Sequence, residues 1–90
     1  MTTQEWVLTI ETEFRTKLRE FSIDLEVIET ESKDDKFFVE IFDQAIANTE
    51  FLKLIDMMKK EYSANLEWIE PSYYSVILVF SREDKEADSQ

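Results

Sequence analysis

Apolar residues at the head of the chain recur at helical spacing. Trp6, Val7, Ile10, Phe14, Leu18 and Phe21 fall within an arc of about 120° on a 3.6-residue wheel, which predicts an amphipathic helix over roughly 3–20. Thr2 and Glu5 stand at capping-box spacing, so the hydroxyl takes one orphan N–H and the carboxylate returns a bond. Arg15, Lys17 and Arg19 crowd the last turns, where they complement the helix dipole. From position 23 the period shortens to two. Ile23, Leu25 and Val27 point one way and Asp24, Glu26 and Ile28 the other, as in a strand over 23–30 with one polar face. A charged hairpin loop, Thr30-Glu31-Ser32-Lys33-Asp34-Asp35, leads to a strand over 36–42. There Phe37, Val39 and Ile41 are in phase and Phe38, Glu40 and Phe42 lie opposite; apolar residues on both faces mark an inner strand.

The alternation of periods then recurs. Asp43 is a suitable N-cap for a second helix over roughly 44–62. Ala47, Phe51, Leu54, Ile55, Met58 and Tyr62 form its inward stripe, with Leu52 and Met57 off it. A third strand over 66–70 ends at Pro71, Tyr73-Tyr74 lies in the hairpin turn or opens the last strand, and a fourth strand over 75–80 is again apolar on both faces. Residues 81–90 form a polar tail expected to fray.

Residues 19–29 also match residues 60–70 in sequence, with six of eleven positions identical: Arg19-Glu20-Phe21-Ser22-Ile23-Asp24-Leu25-Glu26-Val27-Ile28-Glu29 against Lys60-Glu61-Tyr62-Ser63-Ala64-Asn65-Leu66-Glu67-Trp68-Ile69-Glu70. The expected architecture is therefore α+β: two αββ repeats, 1–42 and 43–80, in one domain. As a cyclic permutation of the ferredoxin-like order, it gives a four-stranded sheet 1-2-4-3 with both helices on one face. Strands 36–42 and 75–80 would be central and parallel, and the half-acidic strands would form the edges. The helices would cover Ile23, Leu25, Val27, Phe37, Val39, Ile41, Leu66, Trp68, Ile77 and Val79. The opposite face would carry Ile28, Phe38, Phe42, Ile69, Val76, Leu78 and Phe80. Seven large apolar side chains are more than a monomer leaves in water, which predicts a homodimer through that face. The competing arrangement puts one helix on each side of the sheet.

Composition narrows the function. Ninety residues bury only about 60–65% of the unfolded chain's surface, so a partner adds useful area. There is no cysteine, no long apolar run and no signal-peptide pattern at the start, which points to a cytoplasmic protein. With no histidine the chain lacks the usual neutral-pH acid–base group, and with no glycine it lacks a phosphate-cradling loop. No cofactor is expected. The net charge of −11, from 21 acids and 10 bases, opposes binding to nucleic acid or an anionic membrane and favours a basic partner.

Individual candidates carry little chemistry. Asp34-Asp35 and Asp24/Glu26 are paired carboxylates, but the loop lacks the spaced oxygen series and turn glycine of a calcium loop, so a solvated turn is the ordinary account. The basic clusters Lys59-Lys60 and Arg15/Lys17/Arg19 sit late in helices, where dipole complementation explains them. Ser22 and Ser63 have no histidine base to make them nucleophiles, and helix-to-strand turns account for them better. Tyr73 and Tyr74 are candidate partner anchors. Neither metal site nor catalytic residue is expected.

In size, acidity and absence of catalytic residues the chain resembles the small phage-encoded DNA-mimic proteins, including the anti-restriction inhibitors of T-even phages. The resemblance is one of type and carries over no individual residue. It implies a non-enzymatic inhibitor, in the host cytoplasm, that occupies the DNA-binding channel of a basic partner such as a restriction nuclease. The acids expected to face such a partner are Glu5, Glu13, Glu20, Glu31, Asp34, Asp35, Asp56 and Glu61. The alternative is a dimeric protein-interaction module, an acidic chaperone or assembly adaptor, working through its apolar face and Tyr73/Tyr74.

Overall fold

The computed structural model describes residues 2–25, 28–42 and 48–83. Within them the order is α1 (Thr3–Glu20), β1 (Ile28–Lys33), β2 (Lys36–Ile41), α2 (Asn48–Tyr62), β3 (Ala64–Pro71) and β4 (Val76–Arg82). The four strands form one sheet in the order β1-β2-β4-β3, and both helices pack on the same face of it. The expected α+β architecture and strand order are therefore present. Every neighbouring pair, including the central β2–β4 pair, is antiparallel, which corrects the expectation of parallel central strands. An antiparallel β1–β2 hairpin followed by a crossover through α2 leaves β2 and β3 parallel, and β4 returns between them.

Local chemistry sets the ends of the elements. Thr2 and Glu5 form the full capping box, with Thr2 N–H donating to Glu5 Oε1 at 2.8 Å and Glu5 N–H to Thr2 Oγ1 at 3.1 Å. At the other end Ser22 adopts φ 56°, and Ile23 N–H reaches back to the Leu18 carbonyl at 2.8 Å. Ser63 closes α2 in the same left-handed conformation, φ 52°. The matched serines thus end both helices alike, but the chain beyond them differs. Ala64 enters β3 at once, whereas Ile23–Leu25 is irregular and β1 begins only at Ile28. The first strand is consequently 28–33 rather than 23–30. The expected loop shrinks to the two-residue turn Asp34-Asp35, with φ of 52° and 64°. Val27, Glu26, Asp43 and Ala47 lie outside the described residues.

One core lies between the helices and the sheet. Trp6, Ile10, Phe14 and Leu18 of α1 and Leu54, Met57, Met58 and Tyr62 of α2 meet Phe37, Val39, Ile41, Leu78 and Phe80. Phe14 and Phe37 pack edge to face with ring centroids 5.4 Å apart. Met57 is fully buried, although the helical stripe read from the sequence omitted it. The last turn of α2 is tied to one flank of α1 at three points. Trp6 Nε1–H donates to the Tyr62 carbonyl at 2.6 Å, Tyr62 O–H to Glu13 at 2.8 Å, and Lys17 Nζ to Glu61 at 2.9 Å.

The registers correct the two faces of the sheet. Residues directly opposite across a ladder point to the same side. Phe37 faces Phe80, Val39 faces Leu78, and Ile41 faces both Val76 and Ile28, so all seven lie on the helix side. Ile28, Leu78 and Phe80 are core residues and Val76 packs against that core. They do not form an outer apolar face with Phe38. Ile77 and Val79, expected beneath the helices, are on the outer side, and so is Trp68, which faces Val79. Two physical causes account for this. Residues 76–80 are apolar without interruption, so nothing in β4 fixes its phase, and a slip of one residue exchanges the faces. In β3 an irregularity between Leu66 and Trp68 adds a residue, and the alternation reverses across it. Ile69 shares the helix side with Leu78 but lies half exposed on the edge strand, and Phe42 is half-buried just past β2. β4 also continues through Ser81 and Arg82, which the sequence reading gave to the tail.

Candidate functional site

The outer face of the sheet consists of three rows running across the strands. The first row is Glu29, Glu40, Ile77 and Glu70, in the spatial order β1, β2, β4, β3. The second is Glu31, Phe38, Val79 and Trp68. The third is Lys33, Lys36, Ser81 and Asn65, with Glu67 of the irregular segment bonded to Ser81 Oγ. Acid, aromatic and mixed polar rows thus lie side by side. Val79, between the two aromatic side chains, is fully buried, while Trp68 is 44% exposed and Phe38 and Ile77 are half-buried.

The carboxylates of this face differ from those of the helices in what they touch. Ser75, itself buried, donates its hydroxyl to Glu40 at 2.6 Å, and Trp68 Nε1–H donates to Glu70 at 3.3 Å. Among the described residues, Glu29, Glu31, Glu40, Glu67 and Glu70 make no ion pair. On the helices the acids are engaged. Glu20 and Glu61 share Lys17, Glu50 pairs with Lys53, and Asp56 pairs with Lys60 at 3.1 Å.

The eight acids read from the sequence are therefore not one surface. Glu5 is committed to its cap, Glu13 to Tyr62, Glu20 and Glu61 to Lys17, and Asp56 to Lys60. Glu31 alone of the eight lies on the outer sheet face, and Asp34 and Asp35 form the turn at its rim. Sequence reasoning set Glu40 and Glu67, with Asp24 and Glu26, around the face opposite the helices, but counted neither them nor Glu29 and Glu70 among the acids facing a partner. Asp24, a candidate partner of Glu26, instead donates its backbone N–H to Glu50 at 2.6 Å.

Electrostatic perturbations fall elsewhere and have structural causes. The Thr2 backbone N–H holds the Glu5 carboxyl below its ordinary range, and the Asp24 N–H does the same for Glu50. Burial, together with the Glu13 bond, pushes the Tyr62 phenol well above its ordinary value. Among the described residues no three metal-ligating side chains converge. A shallow cleft of about 440 Å³ lies between the start of α1 and the β1–β2 turn, lined in part by Leu8, Glu11, Lys33 and Asp34. Within it the Ser32 hydroxyl donates to the Glu11 carboxylate. Tyr73 and Tyr74 stand clear of the body in the β3–β4 turn, 93% and 77% exposed. Among the described residues no helix is long and apolar enough to cross a membrane. No family model, curated protein or solved structure matches the chain.

Proposed function

We propose that this chain is a non-enzymatic acidic protein that binds a basic, DNA-binding partner and blocks its access to duplex DNA. The observation that carries the reading is the segregation of charge. Glu20, Glu50, Asp56 and Glu61 of the helices pair with lysines, while the carboxylates of the outer sheet face, like Glu5, Glu11 and Glu13 of α1, have no ion pair among the described residues. Glu29 and Glu31 stand on the edge strand, and Asp34 and Asp35 form its turn beyond Lys33 and Lys36. An array of fixed carboxylates attracts the Lys and Arg side chains that otherwise contact phosphates. A second reading, a protein-interaction adaptor, draws on the exposed Tyr73 and Tyr74, which suit an apolar partner pocket.

Displacement of a fluorescent duplex from a restriction nuclease or a histone-like protein tests the first reading. Added chain displaces the duplex, and its potency falls steeply as ionic strength rises past the point where the Debye length is about 10 Å. Reversing Glu31, Asp34 and Asp35 to Lys weakens displacement roughly tenfold. Absence of displacement from every basic partner tried, or displacement indifferent to salt, would overturn it.

A further inference from the structure

We infer that the outer sheet face is a docking surface for a cationic amphipathic helix of the partner, laid across the strands with its apolar stripe on Phe38 and Trp68, over the buried Val79 between them. The inference rests on the binding reading above and names what that surface would grip. Two features of the face act together. The middle row offers apolar area that solvent reaches at Phe38 and Trp68. The row beside it carries Glu29, Glu40 and Glu70, which have no cation among the described residues. Charge complementarity therefore selects a partner that is apolar along one line and basic along the next.

Spacing selects a helix over an extended chain. Along each row, successive positions step from strand to strand at about 4.8 Å. Side chains four apart on a helix face are about 5–6 Å apart, so a helix keeps step with the row across the sheet. An extended peptide repeats its same-face side chains about every 6.8 Å and drifts out of phase within two strands. The acid row lies two residues along the strands, about 6.8 Å from the apolar row, within reach of Arg or Lys side chains flanking an apolar stripe. Lys33 and Lys36 on the far side of the apolar row set the orientation, because cations on that flank of the helix would be repelled. Trp68 is 44% exposed, and its indole is a ring on which an Arg guanidinium can also stack.

The test uses the full chain and a synthetic helix of about 18 residues with a Leu stripe flanked by Arg, beside a scrambled peptide of the same composition and an oligo-arginine. Trp68 reports directly, since Trp6 is buried and Trp68 is the accessible indole. The amphipathic peptide shifts Trp68 emission to the blue and shields it from acrylamide, and binds roughly tenfold tighter than either control. Combined Glu29→Gln, Glu40→Gln and Glu70→Gln, and separately Trp68→Ala, read by the anisotropy of a fluorescein label on the peptide, each weaken that peptide roughly tenfold while leaving thermal unfolding cooperative. Equal binding of all three peptides overturns the inference, as does peptide binding that both variants leave intact. A pairing along the free edge of β1 or β3 would show as binding by the scrambled peptide, and counts against it too. If duplex displacement from basic proteins occurs yet both variants retain it, this surface fails and the inhibitory reading stands. If the peptide binds as expected but no DNA-binding protein is displaced, the inhibitory reading fails and the surface stands.

Discussion

Glu29 and Glu40 face each other directly across the β1–β2 ladder, both on the outer side of the sheet. Like charges in that position cost a strand pair a few tenths of a kcal/mol or more. A fold under selection for stability alone has no use for the arrangement, whereas a surface meant to receive cations does. Removing one charge therefore separates folding from function. Glu29→Gln raises the urea midpoint by the equivalent of a few tenths of a kcal/mol at low salt, and the gain shrinks as salt screens the pair. A loss of stability, or a gain unaffected by salt, would speak against the repulsion.

The corrected phase of β4 makes a sharper prediction. Leu78 is fully buried beneath the helices, so Leu78→Ala costs about 2–5 kcal/mol, and Leu78→Asp abolishes folding. Trp68, on the outer face of the edge strand, tolerates Trp68→Ala with a loss of about 1 kcal/mol or less. Chemical denaturation of the pair decides the matter. Were Leu78→Asp to fold normally while Trp68→Ala unfolded the chain, the two faces would be assigned the wrong way round.

The β1–β2 turn holds two consecutive aspartates in the left-handed region, where glycine is free of the Cβ penalty. Asp35→Gly relieves up to about 1 kcal/mol of that strain and raises the thermal midpoint, with the loss of one acid as its side effect. Asp35→Asn, which also tolerates the conformation, separates charge from strain: it changes stability little. An equal gain from both would assign the effect to charge.

Stability should fall at both ends of the pH scale for identifiable reasons. The Glu5 and Glu50 carboxyls are depressed below 4.5 by the Thr2 and Asp24 backbone N–H bonds, so their stabilisation is present above pH 4.5 and is lost as pH falls through the folded-state values. The Tyr62 phenol is raised above 10 by burial and by Glu13, so its contribution is complete below pH 10 and is lost as pH rises towards the folded value. Urea midpoints against pH show Glu50→Gln flattening the acid limb and Tyr62→Phe the alkaline limb. Unchanged limbs in these variants would remove the assigned groups.

How much of this was legible in the residues differs by element. The capping box at Thr2 and Glu5, the stripe Trp6, Ile10, Phe14 and Leu18, and the strand order followed directly from spacing and polarity. The phase of β4 did not, because Val76-Ile77-Leu78-Val79-Phe80 offers no polar position to anchor it, and the irregularity at Leu66/Trp68 leaves no local signal in the sequence. Charge counting found the acidity but not its distribution. That Glu13 would be taken by Tyr62 and Glu61 by Lys17 depends on contacts 49 and 44 residues apart, beyond any local pattern.

The central claim is that the outer sheet face meets a basic partner, and amide chemical-shift mapping of the labelled chain with a cationic DNA-binding domain tests it most directly. The account predicts shifts that follow salt-sensitive binding and concentrate on Glu29, Glu31, Phe38, Glu40, Trp68, Glu70 and Ile77, leaving the exposed faces of α1 and α2 unmoved. Shifts confined to the helices, or to Tyr73 and Tyr74 with binding indifferent to salt, would contradict it.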